Sequence, residues 1–150
     1  MLSINWKCKS FDALTPYELY DIIKLRNEVF VVEQKCVFQD ADNKDQQCYH
    51  LLGFVGSDLA AYARLVPKGV SYDDKISIGR VVTSPAHRGA GAGKALMAKA
   101  IEQCISLFGE QSIKIGAQLY LKKFYESFGF VHSSEVYDED GIPHIKMIRQ

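Results

Sequence analysis

The chain has 150 residues, enough for one domain with a hydrophobic core of ordinary size. It is 47% hydrophobic and 24% charged, which excludes an intrinsically disordered chain and a collagen-like fibre. Lys plus Arg and Asp plus Glu number 18 each, and the resulting net charge of zero disfavours nucleic acid as the main partner.

Targeting and metal-binding signals are missing from the sequence. No apolar run approaches the ~20 residues that span a bilayer, and residues 1–7 lack the apolar stretch of a signal peptide. We therefore expect a cytoplasmic protein with no membrane partner, present as a monomer or homodimer. The four cysteines lack zinc-ligand spacing, so we expect free thiols and no metal: Cys8, Cys36, Cys48 and Cys104.

The first half of the chain predicts a strand, a helix and a hairpin. Apolar residues alternate with polar ones over residues 2–8, which predicts a half-buried strand. Residues 15–18 form a capping box that starts a helix, and the β-branched residues 29–32 end or bend it. Two apolar runs, 49–55 and 59–66, flank a short turn and predict an antiparallel hairpin.

An aspartate-rich loop separates this helix from the hairpin. Residues 39–47 are polar and contain Asp40, Asp42 and Asp45, a spacing that invites comparison with a calcium-binding loop. The required glycine and terminal glutamate are missing, so the pattern does not predict calcium binding.

The second half predicts strands and helices in alternation. A strand over 76–83 leads into a helix over 91–108, followed by a strand over 113–118, a short helix over 119–128, and strands over 131–137 and 144–148. Helix connections favour parallel pairing and hairpins favour antiparallel pairing. We therefore predict an α/β (α+β) fold with a mixed, mostly antiparallel central sheet of about seven strands and helices on both faces.

A glycine-rich turn before the long helix carries the clearest functional signal. Gly89, Gly91 and Gly93 leave the backbone open, so that successive N–H groups can point at one anion. The helix N-terminus adds about half a positive charge, and Arg88 and Lys94 add full charges. This combination suits a pyrophosphate.

Other interpretations of this turn fit less well. A P-loop requires different glycine spacing and a Ser or Thr where Ala95 stands. A dinucleotide-binding fingerprint requires a different glycine rhythm within a parallel unit. A flexible turn without a ligand would gain nothing from three glycines, and the neutral net charge argues against an RNA or nucleotide binder.

Two motifs together resemble the GNAT superfamily of N-acetyltransferases. The spacing Arg-x-x-Gly-x-Gly over residues 88–93 resembles its pyrophosphate loop, and residues 124–130, Phe-Tyr-Glu-Ser-Phe-Gly-Phe, resemble its segment after the fifth strand. Residues 25–34 and 135–144 are similar to the ElaA-like branch. The resemblance spans nearly the whole chain and implies a GNAT-like acyl-CoA N-acyltransferase fold.

The resemblance implies an acetyltransferase that moves an acetyl group from acetyl-CoA to a primary amine by direct attack on the thioester. Acetyl-CoA would be a co-substrate, and the acceptor a small-molecule or peptide amine. The positions that match the family's cofactor-binding residues are Val81, Val82, Thr83, Arg88, Gly89, Ala90, Gly91, Ala92, Gly93, Lys94 and Gln118.

The resemblance also implies a catalytic tyrosine. Tyr125 matches the family tyrosine whose phenol protonates the departing thiolate. Relatives often carry a base on the fifth strand, but residues 113–117 contain no acid. Glu33, at the end of the helix that borders the acceptor, is therefore the first candidate base, and His144 and His50 are alternatives.

The acceptor side is predicted to include Phe30, Arg80 and His144. Arg80, like Arg26 and Arg64, interrupts an apolar segment, so its charge must be paired or face a cleft. These arginines could bind an anionic group of the acceptor or a structural carboxylate such as Glu28, and structural pairing is favoured for Arg26. Because the fifth-strand acid is missing, a non-catalytic coenzyme A-binding or sensor module is the alternative function.

Overall fold

The computed structural model describes residues 3–150, in which eight strands and three α-helices form. The strands are β1 (Asn5–Ser10), β2 (Tyr49–Val55), β3 (Asp58–Val66), β4 (Ser77–Thr83), β5 (Ile113–Gln118), β6 (Phe130–His132), β7 (Tyr137–Glu139) and β8 (Ile142–Arg149). The helices are α1 (Pro16–Arg26), α2 (Ala92–Phe108) and α3 (Lys122–Glu126). A π-helix, Asn27–Glu33, continues directly from α1.

The strands form two four-stranded units that meet between β4 and β5. One has the order β1-β2-β3-β4, and the other has the order β5-β8-β6 with β7 also paired to β8. Every pairing within these units is antiparallel. A parallel bridge between Ile76 and Ile113 joins the two units, which confirms the mixed, mostly antiparallel architecture.

Helices cover both faces of the sheet. Ile22 and Leu25 of α1 pack with Leu52 and Tyr62 on one face. On the other face, α2 buries an apolar stripe that includes Leu96, in a cluster shared with both strand units. Each face of the sheet is therefore closed by its own core.

The start of α1 follows directly from its capping box. The Glu18 amide donates to the Thr15 hydroxyl at 3.1 Å, and the Thr15 amide donates to the Glu18 carboxylate at 2.9 Å. At the other end of α1, the β-branched residues 29–32 do not end the helix. The chain continues there as the wider π-helix. The Gln34 amide donates to the Val29 carbonyl five residues earlier.

Several predicted elements differ from the structure, and the last strand, predicted over 144–148, spans Ile142–Arg149. The first strand begins at Asn5 and reaches Ser10, and Leu2 lies outside the described residues. The predicted helix over 119–128 is a 3₁₀ turn followed by the shorter α3. The predicted strand over 131–137 is divided into β6 and β7, because the Ser134 hydroxyl accepts the Lys146 amide hydrogen in place of a backbone carbonyl.

The strands β4 and β5 separate immediately after their parallel bridge. The Lys114 amide donates to the Ile76 carbonyl at 3.0 Å, and within residues 3–150 no ladder joins the two strands beyond that point. On the opposite edge of β4, Tyr62 pairs with Val82 while Arg64 pairs with Gly79. Two residues of β4 therefore face one residue of β3, which is a β-bulge.

The bulge places Arg80 in an unfavourable backbone conformation. Its φ of 50° lies in the left-handed region, which costs a residue with a side chain about 1–2 kcal/mol. The side chain is held from two directions by Asp40, whose carboxylate accepts from Nε at 2.8 Å and whose backbone carbonyl accepts from Nη2 at 3.0 Å. Side-chain binding therefore stabilises the bulge.

These contacts belong to a closed ring of alternating charges, here called the charge ring. Its members are, in order around the ring, Arg26, Asp40, Arg80, Asp42, Arg64 and Asp45. The six N–O distances lie between 2.7 and 3.4 Å. Each charge has two neighbours of opposite sign, so the buried arginines are neutralised without solvent.

The charge ring shows which carboxylates pair with the three arginines that interrupt apolar segments. Arg26 is 1% exposed and pairs with Asp40 and Asp45 rather than with Glu28. The aspartate-rich loop, predicted as a polar loop, therefore directs its three aspartates toward buried arginines. It joins α1 to β3 and to the bulge in β4.

We predict that Asp45→Asn lowers the free energy of unfolding by about 3 kcal/mol, because it removes one carboxylate from two buried arginines. Urea denaturation measures the change. Asp73→Asn, in an exposed loop, is the matched control and should be neutral. Equal stability of the two variants would contradict a structural role for the ring.

The charge ring also predicts how stability depends on pH. Burial would raise the pKa of Asp42, but the hydrogen bonds and charge of Arg64 outweigh it and hold that pKa well below its usual range. Its stabilising contribution is therefore complete above the unfolded carboxyl pKa of ~3.9 and is lost as pH falls through the lower folded value.

We predict that the free energy of unfolding declines as pH falls below about 4, and that Asp42→Asn makes this decline shallower. Urea denaturation at a series of pH values compares the two slopes. A slope that the substitution leaves unchanged would show that Asp42 does not contribute to acid sensitivity.

Candidate active site

A cavity of about 880 Å³ opens where β4 and β5 separate. The π-helix and the following loop form one side, and the β7–β8 hairpin and the start of α3 form others. The predicted site residues on its wall are Phe30, Glu33, Arg80, Val81, Val82, Thr83, Arg88, Gly93, Gln118, Tyr125 and His144. The fold thus brings together residues from six segments of the chain.

The remaining predicted residues lie beside the cavity, on the turn that opens α2. They are Gly89, Ala90, Gly91, Ala92 and Lys94. Within residues 3–150, no side chain or loop carbonyl accepts a hydrogen bond from the amides of residues 89–94. These amides and the N-terminus of a 17-residue helix are thus available to an anion.

Two of the glycines are required by backbone conformation. Gly89 and Gly91 have φ values of 86° and 81°, which residues with side chains rarely adopt. Gly93 has an ordinary φ, and a Cβ there would lie 3.9 Å from the Phe124 ring. The shape of the loop therefore requires glycine at two positions, Gly89 and Gly91.

An ion pair connects the glycine-rich turn to the π-helix. The Glu33 carboxylate accepts from both terminal nitrogens of Arg88, at 2.6 and 2.7 Å. Hydrogen bonding from Arg88 lowers the pKa of Glu33. Both side chains are about two-fifths exposed, at 42% for Glu33 and 40% for Arg88, so solvent reaches this pair.

Tyr125 lies on α3 with its ring buried and its hydroxyl available. The residue is 7% exposed, and its ring packs edge-on against Phe124 and Phe130. In the described part of the chain, its hydroxyl makes no hydrogen bond. Burial raises the pKa of Tyr125 to about 12, so the phenol keeps its proton at neutral pH and can donate it.

His144 lies on β8, opposite Gln118 of β5. Its Nδ1 lies 2.7 Å from the Ile142 carbonyl, which can only accept, so Nδ1 carries a hydrogen. Nε2 lies 3.5 Å from the carboxylate of Glu139 on β7. The imidazole thus lies between a backbone carbonyl and a carboxylate.

Other wall residues tie the acceptor side together. The Gln118 amide donates to the Gln34 side chain at 3.4 Å, which joins β5 to the end of the π-helix. The Cys36 thiol donates to the Asp140 carbonyl at 3.2 Å, which joins the following loop to the hairpin turn. These contacts place the hairpin against the π-helix side of the cavity.

Sequence reasoning missed several wall residues: Gln34, Cys36, Phe38, Tyr120, Glu139, Asp140 and Ile142. Four of them, Gln34, Glu139, Asp140 and Ile142, lie in the two segments that were singled out for their similarity to the ElaA-like branch, 25–34 and 135–144. Their positions depend on how the hairpin folds against the π-helix loop, and no local spacing encodes that contact. The one sequence signal for this part of the cavity wall was the run of negative charges that ends at Asp140, just before a turn.

The structure bears on metals and membranes as well. In residues 3–150, no group of three or more His, Cys, Asp or Glu side chains is arranged to hold a metal ion. None of the helices in that range is long and apolar enough to cross a membrane. The cysteines of the described range are free thiols.

Comparisons with known proteins agree with this geometry. The family described as an acetyltransferase (GNAT) domain matches residues 24–150. Protein ElaA of Escherichia coli (strain K12) is 43% identical over 151 residues, covering 98% of this chain and 97% of that protein.

Solved structures agree in fold. The crystal structure of Escherichia coli ElaA has a TM-score of 0.91 at 42% identity, covering 99% of this chain and 100% of that chain. An acyl-CoA N-acyltransferase from Pseudomonas aeruginosa has a TM-score of 0.94 at 43% identity, with the same coverage. The predicted GNAT-like fold is thereby confirmed. With a family match over most of its length and full-length relatives this similar, the chain belongs to the GNAT acetyltransferase family and to its ElaA-like branch.

Proposed function

We propose that this protein transfers an acetyl group from acetyl-CoA to a primary amine of a small molecule or peptide. The observation that carries the proposal is the cavity between β4 and β5, which leads from free amides at the start of α2 to the hydroxyl of Tyr125. A strand edge without a partner can bind the amides of an extended ligand. Membership of an acyltransferase family supports the same conclusion.

The donor would be held at two places. The free edge of β4, at Val81 to Thr83, offers backbone groups to the two amides of the pantetheine arm. The amides of residues 89–94, the helix dipole and the charges of Arg88 and Lys94 suit its diphosphate. Gln118 lies across the opening from β4 and can donate a further hydrogen bond.

Transfer then requires an acid and a base. The amine nitrogen forms a bond to the thioester carbonyl carbon, and the carbon–sulfur bond breaks to release a thiolate. Tyr125, which is protonated at neutral pH, donates its phenolic proton to that sulfur, and the nitrogen gives up its extra proton to restore the phenol as the amide forms. An alkylammonium acceptor, with a pKa of ~10, must first lose its own proton.

The acceptor's proton has two candidate receivers on the cavity wall. His144 donates Nδ1–H to the Ile142 carbonyl, so only Nε2, beside the Glu139 carboxylate, can receive a proton from the acceptor. Glu33 is engaged by Arg88, which lowers its pKa and makes it a weaker base. The geometry therefore favours His144, and the role of Glu33 as base stays a prediction.

Phe30 and Arg80 complete the proposed acceptor side. Arg80 directs Nε and Nη2 to Asp40, and its side chain is 25% exposed at the cavity wall. Its remaining nitrogen, Nη1, can contact a polar group of the acceptor. Phe30 supplies an apolar surface from the π-helix.

The proposed function is tested by binding and by turnover. Isothermal calorimetry should detect coenzyme A binding, and incubation with acetyl-CoA and a panel of amines should release free thiol. Absence of coenzyme A binding at millimolar concentration would end the proposal. Binding without turnover on any amine would favour the non-catalytic coenzyme A-binding or sensor module.

We predict that Tyr125→Phe lowers kcat about 100-fold, because the departing thiolate loses its proton donor. Calorimetry should find the affinity for coenzyme A unchanged. Tyr120→Phe is the matched control, since Tyr120 is 74% exposed on the same wall and should tolerate the change. A Tyr125→Phe enzyme with normal kcat would remove the phenol from the mechanism.

We predict that His144→Asn slows transfer to an alkylamine about tenfold more than transfer to hydroxylamine, which is already uncharged at pH 7. Asparagine can keep the hydrogen bond to the Ile142 carbonyl while removing Nε2. The same ratio measured for Glu33→Gln tests the competing assignment. If only Glu33→Gln shows the selective loss, Glu33 rather than His144 is the base.

A further inference from the structure

The Arg88–Glu33 ion pair joins two residues for which the sequence predicts separate tasks, anion binding and catalysis. Arg88 Nη1 donates to one carboxylate oxygen at 2.6 Å, and Nη2 donates to the other at 2.7 Å. Nη2 also reaches the Thr83 carbonyl at 3.3 Å. The two terminal nitrogens of Arg88 that could donate to a phosphate therefore already donate to Glu33.

The exposure of this pair distinguishes it from the charge ring. Arg26 and Arg64 have side chains only 1% and 4% exposed, and losing a partner would leave a charge buried. The side chains of Arg88 and Glu33 are 40% and 42% exposed, and such pairs contribute little stability. A pair of this kind can exchange partners without unfolding anything around it.

A diphosphate is a better partner for Arg88 than a carboxylate. It carries more negative charge and accepts the same two parallel hydrogen bonds. At this position it would also receive the free amides of residues 89–94, which the Glu33 carboxylate does not use. The competition therefore favours the diphosphate.

We propose that the donor's diphosphate displaces Glu33 from Arg88, so that the Glu33 carboxylate turns toward the cavity and attracts the ammonium group of the acceptor. The inference rests on the proposed function. Glu33 already lies on the cavity wall, and its neighbour Gln34 contacts Gln118, opposite His144 in the β5–β8 ladder. The released charge thus belongs to the acceptor side.

Two consequences follow for the order of binding. Without donor, Glu33 is neutralised by Arg88 and adds nothing to the attraction that the wall's other carboxylates hold for a cationic amine. With donor bound, the wall gains a negative charge at Glu33, so amine and donor strengthen each other's binding by the same factor. The acceptor class is accordingly a cationic amine that binds after the donor.

The first test measures coenzyme A affinity by calorimetry. Because Glu33→Gln removes the competitor for Arg88, we expect it to tighten coenzyme A binding about three- to fivefold. Glu28→Gln, exposed on the same π-helix and outside the pair, is the control and should change affinity less. In an Arg88→Gln background, the gain from Glu33→Gln should disappear.

The second test observes Glu33 directly by carbon-13 NMR of its carboxyl group. In the free protein, the hydrogen bonds from Arg88 hold the pKa of Glu33 below its usual range. Saturation with coenzyme A should raise that pKa, because Arg88 has left. The Arg88→Gln variant should show a raised pKa without any ligand.

The outcomes separate this inference from the proposed function. Failure of the wild-type protein to bind coenzyme A would overturn both. Normal coenzyme A binding, with equal or weaker affinity after Glu33→Gln, would overturn only the exchange. A Glu33 pKa that stays depressed at saturating coenzyme A would do the same, since it would show that the ion pair survives.

Discussion

The geometry of the cavity depends on the charge ring. Three arginines from α1, β3 and β4 are joined to three aspartates of one loop, and each member contacts two of opposite sign. The ring holds Arg80 in its left-handed conformation, and that conformation maintains the bulge in β4.

The second constraint is the separation of β4 from β5. One parallel bridge joins them, and beyond it the two strands line the cavity instead of pairing. Unpaired strand edges are normally a liability, because they attract other strands. Here the edge faces an open cavity whose wall includes Arg88 and Gly93 at the glycine-rich turn, so a ligand with amides and a diphosphate could contact both.

The elements that could be predicted from sequence are those specified by local chemistry. The capping box at Thr15 and Glu18 places the start of α1, and the turn at Gly56 places the hairpin. The strand over 113–118 has the predicted bounds. In each case, the residues that decide the structure lie within a few positions of one another.

The features that escaped prediction depend on residues far apart in the chain. Arg80 and Asp40 are 40 positions apart, and Arg88 and Glu33 are 55 apart. The aspartate-rich loop therefore looks like solvated surface until its three arginine partners are known. The Arg88–Glu33 pair likewise changes the role expected for both residues, because each already engages the other.

The central claim is that the amides ahead of α2 and the free edge of β4 bind the acyl donor together. Amide hydrogen exchange with and without coenzyme A tests it most directly. Slower exchange at residues 89–94 and in β4 near Thr83, with little change in β1 and β2, is the predicted result. Unchanged exchange in both segments at saturating coenzyme A would contradict the account.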